Sequence, residues 1–326
     1  MILIISQDRF ECTTDEIIDW ISYFDTPFKR LNGIDFYKNV AINFANSDNE
    51  VQIAGIDWEK INVVWFRRWL AYQNNDKIAI KQKKESIDSL SIQFNEFLKS
   101  ELKTLVTFFF DWIPKNKLFG TVRTDEINKL SVLKKAKELN ILIPDTYILT
   151  KRSDFDKLNL TSKLITKAIS NGQSIKVSND QYNGYTAIVE EIPEAIGDSF
   201  SPSLFQGLVA KKYEIRAFLL SGKFYSMAIF SQNDNQTKID FRRYNYDNPN
   251  RVVPYKLPED LEKKLIKLAA YFELESGSFD LIKTTDNQHI FLEVNPGGQF
   301  GMVSLPCNYY LEKKMALELI NFNKPE

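Results

Sequence analysis

The chain has 326 residues, enough for two or three lobes around more than one core. Its 42 basic and 43 acidic side chains leave a formal charge of -1, so nothing favours non-specific binding to nucleic acid, although a local basic cleft remains open. The single histidine, His289, and two distant cysteines, Cys12 and Cys307, exclude a histidine-rich zinc site, a thiolate metal site and a disulfide framework.

The start, MILIISQDRF, lacks the charged opening and long apolar core of a signal peptide. The longest apolar run, residues 105–113, is broken by Thr107 and Asp111 and falls short of a membrane span. With so few cysteines, a reducing, cytoplasmic setting away from membranes is expected.

Residues 1–5 read as a buried strand. A helix follows, with Ile17, Ile18, Trp20 and Ile21 on its apolar face. Residues 63–66 form a second strand that runs into Arg67, Arg68 and Trp69, which suggests a small α/β lobe. Ile87, Leu90, Phe94, Phe97, Leu98, Leu102 and Leu105 recur at helical spacing and predict a long amphipathic helix. Residues 114–120 look like a boundary. A second helix is expected from Thr124, a plausible N-cap, carrying Ile127, Leu130, Leu133 and Ala136. Strands are expected at 146–149, 164–169, 186–192 and 204–210, with Asn183-Gly184 as a turn. Residues 214–220 and 223–230 predict a hairpin around Ser221-Gly222. A helix over 258–274, a second hairpin from 278–283 and 289–294, and a final helix over 309–320 complete the chain. His289 reads as a strand-edge histidine.

The strongest chemical signal is GSFDLIKTTDNQHIFLEVNPGGQFG. Glu293 and Asn295 are two residues apart on a strand, so they share a face. Asp280 lies on the preceding strand, which a hairpin places alongside. Two carboxylates and an amide oxygen make a hard, oxygen-rich site of the kind magnesium favours, with phosphates and water completing its shell. Pro296, Gly297 and Gly298 end the strand and leave room beside it. A hairpin with solvent-facing acids is the plainer alternative. It is weakened by the apolar neighbours Phe279, Leu281, Ile282, Phe291, Leu292 and Val294, because buried carboxylates need cations or hydrogen bonds.

Phe279-Asp280, spaced ahead of Phe291-Leu292-Glu293-Val294-Asn295-Pro296, resembles the metal-binding end of the ATP-grasp ligases. That resemblance implies an α/β fold with an N-terminal domain over 1–115, a central lobe over 116–207 and a C-terminal lobe over 208–326 that clamp ATP. It implies magnesium on Asp280, Glu293 and Asn295, and phosphate-binding lysines at Lys129 and Lys167. Gln206, Leu208 and Val209 match the adenine hinge, and Glu214 the ribose carboxylate. Arg216 is placed at the γ-phosphate or acyl phosphate. Arg242, in IDFRRYN, is assigned to the substrate carboxylate or phosphate. Asn171-Gly172 stands where the family has a phosphate-covering loop. There is no Walker loop and no GxGxxG.

The segments VVWFRRW, TVRTDEINKLSVLKKAKELNILIPDTYILT and KIDFRRYN are similar to the grasp-with-spasm and microviridin-type (graspetide) peptide maturases. This implies an ATP- and magnesium-dependent macrocyclase. Its partner would be a ribosomal precursor peptide with a leader and a core of Ser, Thr or Lys with Asp or Glu. Its products would be ester or amide crosslinks, and the enzyme a homodimer. Two alternatives stay open at this point: an ATP-grasp ligase that adds an amino acid to a peptide or protein, and a non-catalytic ATP-binding protein.

Overall fold

The computed structural model describes residues 1–7, 11–42, 51–53, 55–69, 87–124, 127–158, 163–170, 174–177, 180–243 and 245–322. The chain divides into two compact units, 1–122 with 312–326, and 123–311.

The first unit holds β1 (Ile2–Ser6), α1 (Cys12–Tyr23), β2 (Phe28–Asn32), α2 (Gly33–Asn39), β3 (Val40–Ile42), β4 (Val51–Ile53), β5 (Val63–Phe66), α3 (Ile87–Trp112) and β6 (Leu118–Phe119). Strands β2-β1-β5-β6 make a parallel sheet. Every residue of β1 and β5 is buried, as expected for strands covered on both faces. Thr14, Ile17 and Ile21 are the buried stripe of α1. The C-terminal half of α3 supplies Phe109 to the core, joined by Ile113 just after the helix, and Phe109 meets Phe36 with ring centroids 4.9 Å apart. The apolar stripe expected along all of α3 does not stay covered: Phe97 is 55% exposed, and Ile92 and Phe94 are also exposed. The side chains of Ile87 and Leu90 lie outside the described residues.

The second unit holds α4 (Lys129–Glu138), β7 (Thr146–Lys151), α5 (Arg152–Asp156), β8 (Leu164–Lys167), β9 (Ser174–Val177), β10 (Asp180–Asn183), β11 (Ala187–Val189), β12 (Ser199–Gly207), β13 (Lys211–Leu220), β14 (Lys223–Phe230), β15 (Arg251–Tyr255), α6 (Glu259–Tyr271), β16 (Ser276–Thr284), β17 (His289–Asn295) and α7 (Gly301–Ser304). A last helix, α8 (Leu311–Phe322), ends the described chain. Strands β11-β8-β12-β7 form one antiparallel sheet and β15-β14-β13-β16-β17 another, with β9 and β10 as a separate hairpin. Among the described residues, no helix is long and apolar enough to cross a membrane.

Both expected C-terminal hairpins form. The first turns through Ser221 (φ 45°) and Gly222 (φ 75°), two positive-φ residues that match the right-handed twist of the strands. Helices α4 and α6 cover one face of the larger sheet, burying Val132, Leu133, Ala136, Leu265, Leu268 and Ala269 against Ile215, Ala217, Leu219, Phe279, Leu281 and Phe291.

Several expected boundaries shift. Helix α4 starts at Lys129 rather than Thr124, because the Asn128 side chain accepts from the amides of Leu130 (2.9 Å) and Ser131 (3.3 Å). Asn183-Gly184 does not turn directly between two strands of the smaller sheet; Asn183 ends the additional strand β10. The strand expected at 204–210 runs earlier, as β12, and 208–210 are a connector. The last helix begins at Leu311 rather than 309, since Tyr310 sits at φ 52°.

Gly298, just after β17, has φ +44°, and a Cβ there would lie 2.9 Å from Cε2 of Phe218. Gly298→Ala is expected to destabilise the fold by roughly 1–3 kcal/mol. A urea unfolding midpoint unchanged from wild type would contradict this.

Candidate active site

Strand alternation sorts the larger sheet into a core face and an open face. On β13, Ile215, Ala217 and Leu219 belong to the core, which leaves Glu214 and Arg216 on the opposite face. On β16, Phe279 and Leu281 are core residues and Asp280 points the other way. Strand β17 needs a correction to reach the same result, since Phe291 is in the core and Glu293 is two residues on. The ladder supplies it. Leu281 pairs with Phe291, but Asp280 pairs with Glu293, so Leu292 is an extra residue. This bulge flips the alternation and brings Glu293 to the face of Asp280. Arg216, Asp280 and Glu293 then stand in one cross-strand row, with Asn295 opposite Ser278 in the next row on that face.

Cations converge on this row from four elements. Arg216 Nη1 lies 3.1 and 3.2 Å from the two oxygens of Asp280. Lys129, first residue of α4, places Nζ 3.1 Å from Glu293 Oε2 and donates to the Ala168 carbonyl at 3.1 Å. Lys167, last residue of β8, places Nζ 3.7 Å from the same Glu293 oxygen. Arg242 comes from the segment between β14 and β15; its bonds to Asp240 raise its pKa most, and the charges of Glu293 and Asp280 add to this.

Burial tunes these groups. Desolvation pulls the Lys167 ammonium below its ordinary value despite Glu293. Burial pushes the Asp280 carboxyl up, opposed only in part by Arg216. Burial also works upward on Glu293, yet Lys167 and Lys129 hold it below the usual carboxylate range. Arg216 Nε and Nη2 are buried and make no hydrogen bond among the described residues. A cleft with surplus buried cationic donors suits a polyanion.

A divalent cation fits the donor chemistry here. Among the described residues, no three His, Cys, Asp or Glu stand close enough to hold a metal. The candidate set is therefore two carboxylates and the Asn295 amide, a shell that needs phosphate oxygens and water to complete it. Lys129 and Lys167 would pass from Glu293 to those phosphates.

The remaining expected residues are placed unevenly. Gln206, fully buried on β12, donates from Nε2 to Thr146 Oγ1 at 2.8 Å, while its Oε1 is a buried acceptor without a partner among the described residues. The Leu208 amide donates to the Lys163 carbonyl at 2.7 Å, and the Val209 amide has no such partner among the described residues. Both oxygens of Glu214 are engaged, one by Lys211 Nζ and the other by Ser231 Oγ, so neither is open to a ribose without displacement. Asn171-Gly172 lies outside the described residues. His289 bonds to the Tyr255 hydroxyl at 2.8 Å and is half-buried, as a structural histidine should be; burial pushes the Tyr255 hydroxyl up to about 12.

Lys211 and Asp240 were not singled out from sequence. Asp240 was detectable only as the acid two residues before Arg242. Burial works against its ionisation, but the bonds from Arg242 hold its pKa below the ordinary aspartate value. Its stabilising contribution is thus fully present above an ordinary aspartate pKa and is lost as the pH falls through the lower folded value. Asp240→Asn is expected to cost about 1–3 kcal/mol at pH 7, with the gap from wild type narrowing below about pH 4. Urea titrations at both pH values check this; a gap that widens in acid would contradict it.

No protein-family model matches the chain, and no curated protein matches it. Solved structures do match along the whole length. The Chryseobacterium gregarium RiPP-associated ATP-grasp ligase, in complex with ADP and a leader and core peptide, superposes with a TM-score of 0.82 at 20% identity, covering 100% of this chain and 97% of that one. The macrocyclase MdnC of Microcystis aeruginosa MRC, bound with precursor peptide MdnA, gives 0.77 at 22% identity, covering 98% and 99%. The ATP-grasp ligase PsnB, complexed with a phosphomimetic variant of its minimal precursor, Mg and ADP, gives 0.73 at 13% identity, covering 99% and 98%. The chain has the fold of these ATP-grasp ligases.

Proposed function

We propose that the protein is an ATP-dependent peptide macrocyclase, which activates Asp or Glu side chains of a precursor peptide for attack by its Ser, Thr or Lys side chains. The observation that carries this reading is the row Arg216, Asp280 and Glu293 with Lys129 and Lys167 closing over it. It occurs in a fold whose solved examples hold ADP and peptides.

In this reading a substrate carboxylate oxygen attacks the γ-phosphorus of ATP, and ADP leaves. The resulting acyl phosphate is then attacked at carbon by a hydroxyl or amine of the same peptide. That attack releases inorganic phosphate and forms an ester or amide. Lys129 and Lys167 neutralise the polyphosphate. The open Nε and Nη2 of Arg216 take the transferring phosphoryl group. Arg242 orients the substrate carboxylate. Gln206 Oε1 and the backbone at Leu208 and Val209 receive the adenine. Glu214 reaches the ribose only by releasing Lys211 or Ser231. Magnesium held by Asp280, Glu293 and Asn295 would supply charge neutralisation at the phosphates. The burial of Arg216 and Lys167 limits water near an intermediate that water would destroy.

The partner is a peptide with a leader and an acidic, hydroxyl- or amine-bearing core. We place the protein in the cytoplasm as a homodimer.

The test is mass spectrometry of candidate precursor peptides incubated with the protein, ATP and magnesium. One water mass lost per bond, with matching ADP release, supports macrocyclisation. A gain of amino-acid mass would establish the amino-acid ligase instead, and ATP binding without turnover of any peptide would establish a binding protein. Glu293→Gln is expected to lower peptide-dependent ADP release by roughly 100-fold or more. Its far-ultraviolet circular dichroism should match wild type; normal turnover would remove Glu293 from the site.

A further inference from the structure

We infer that Asp240 is a positioning residue, which fixes the Arg242 guanidinium for a substrate carboxylate and ties the loop that carries it to the neighbouring sheet. The carboxylate role of Arg242 rests on the proposed function; the role of Asp240 as a tie rests on geometry alone.

The Asp240 side chain is 3% exposed, against 52% for Arg242. Its Oδ1 accepts from the Arg242 amide at 3.1 Å and from Nε at 2.8 Å. Its Oδ2 accepts from Arg242 Nη2 at 2.6 Å and from the Thr186 amide at 3.3 Å. Both oxygens are therefore committed. Asp240 has no lone pair left aimed at a ligand, so its charge acts through the arginine. The paired edge of the guanidinium is Nε with Nη2, and Nη1 makes no hydrogen bond among the described residues. A planar fork held along one edge presents the other in a fixed direction. Asp240 does most to hold the Arg242 guanidinium charged, and the charges of Glu293 and Asp280 add to it.

The loop between β14 and β15 is built to hold that position. Ser231 Oγ at its start donates to buried Glu214. Lys211 Nζ also bonds Glu214 and reaches the Ile239 carbonyl at 3.1 Å, one residue before Asp240. Thr237 Oγ1 spans the loop, its one hydroxyl proton within hydrogen-bond reach of the Ser231 carbonyl at 3.0 Å and of Asn250 Oδ1 at 3.1 Å. The Thr186 bond leaves the loop altogether. Thr186 directly precedes β11, an edge strand of the smaller sheet. Asp240 thus joins the larger sheet's loop to the smaller sheet while it clamps Arg242. Lys129, Lys167 and Arg216 already cluster at the carboxylate row, and the half-exposed Arg242 from a separate loop is a further cation open to an incoming acidic side chain.

The experiment uses the full chain with Asp240→Asn, Arg242→Lys, Arg242→Ala and the Asp240→Asn/Arg242→Ala double variant. Asp240→Asn places an amide donor against donors already present. It is expected to raise the KM for the peptide roughly 10-fold while the KM for ATP stays within about twofold. It should add little in the Arg242→Ala background. Hydrogen–deuterium exchange without peptide should quicken over both 185–189 and 237–243 in Asp240→Asn, and stay slow in Arg242→Lys. Equal rises in both KM values, additive losses in the double variant, or unchanged exchange at either segment would overturn the inference. If the wild-type protein modifies no peptide, the macrocyclase reading fails, and the exchange result alone decides whether Asp240 ties the two sheets.

Discussion

One carboxylate oxygen, Glu293 Oε2, is shared by two lysines from different elements, Lys129 of α4 at 3.1 Å and Lys167 of β8 at 3.7 Å. Beside it, Asp280 is held by Arg216. Burying so many charges together is a costly way to stabilise a fold, because desolvation offsets most of the attraction and an apolar cluster would serve as well. The depressed Lys167 ammonium and the raised Asp280 carboxyl record that cost. The arrangement would make sense if Asp280, Glu293 and Asn295 held a divalent cation and Lys129 and Lys167 bound the phosphates of a polyanion.

Ordinary backbone devices place this charge. Arg216 and Asp280 meet because antiparallel register sets them opposite each other. Glu293 joins them through a single extra residue in β17. Lys129 stands at the head of α4 because Asn128 caps the helix there, and the buried face of α4 packs on the same sheet from behind. The acidic row and its cations therefore rest on the core formed by Phe279, Leu281 and Phe291, so the proposed site and the packing core share one sheet.

Much of this was legible in the chain. Asp280, Glu293 and Asn295 stood out as oxygen donors among apolar residues, and the two-residue loop Ser221-Gly222 announced its hairpin. The bulge at Leu292 was not legible, because period-two alternation carries no mark of where one residue is left over. Assuming a regular strand still put Glu293 and Asn295 on a common face, since both lie beyond the irregularity. The long helix formed as α3 and its C-terminal half is packed, but Phe94 and Phe97 are exposed, as spacing defines a stripe but not what covers it. The engagement of Glu214 by Ser231 depends on a loop contact 17 residues away, which local pattern does not encode.

The central claim is that Asp280, Glu293 and Asn295 gather a divalent cation against a nucleotide. Anomalous scattering from crystals grown with manganese and a non-hydrolysable ATP analogue tests it most directly. The account predicts a manganese peak within bonding distance of Asp280 and Glu293, with the Lys129 and Lys167 ammonium groups moved onto the phosphates. Nucleotide bound elsewhere, or both lysines still paired to Glu293 with no peak beside it, would contradict it.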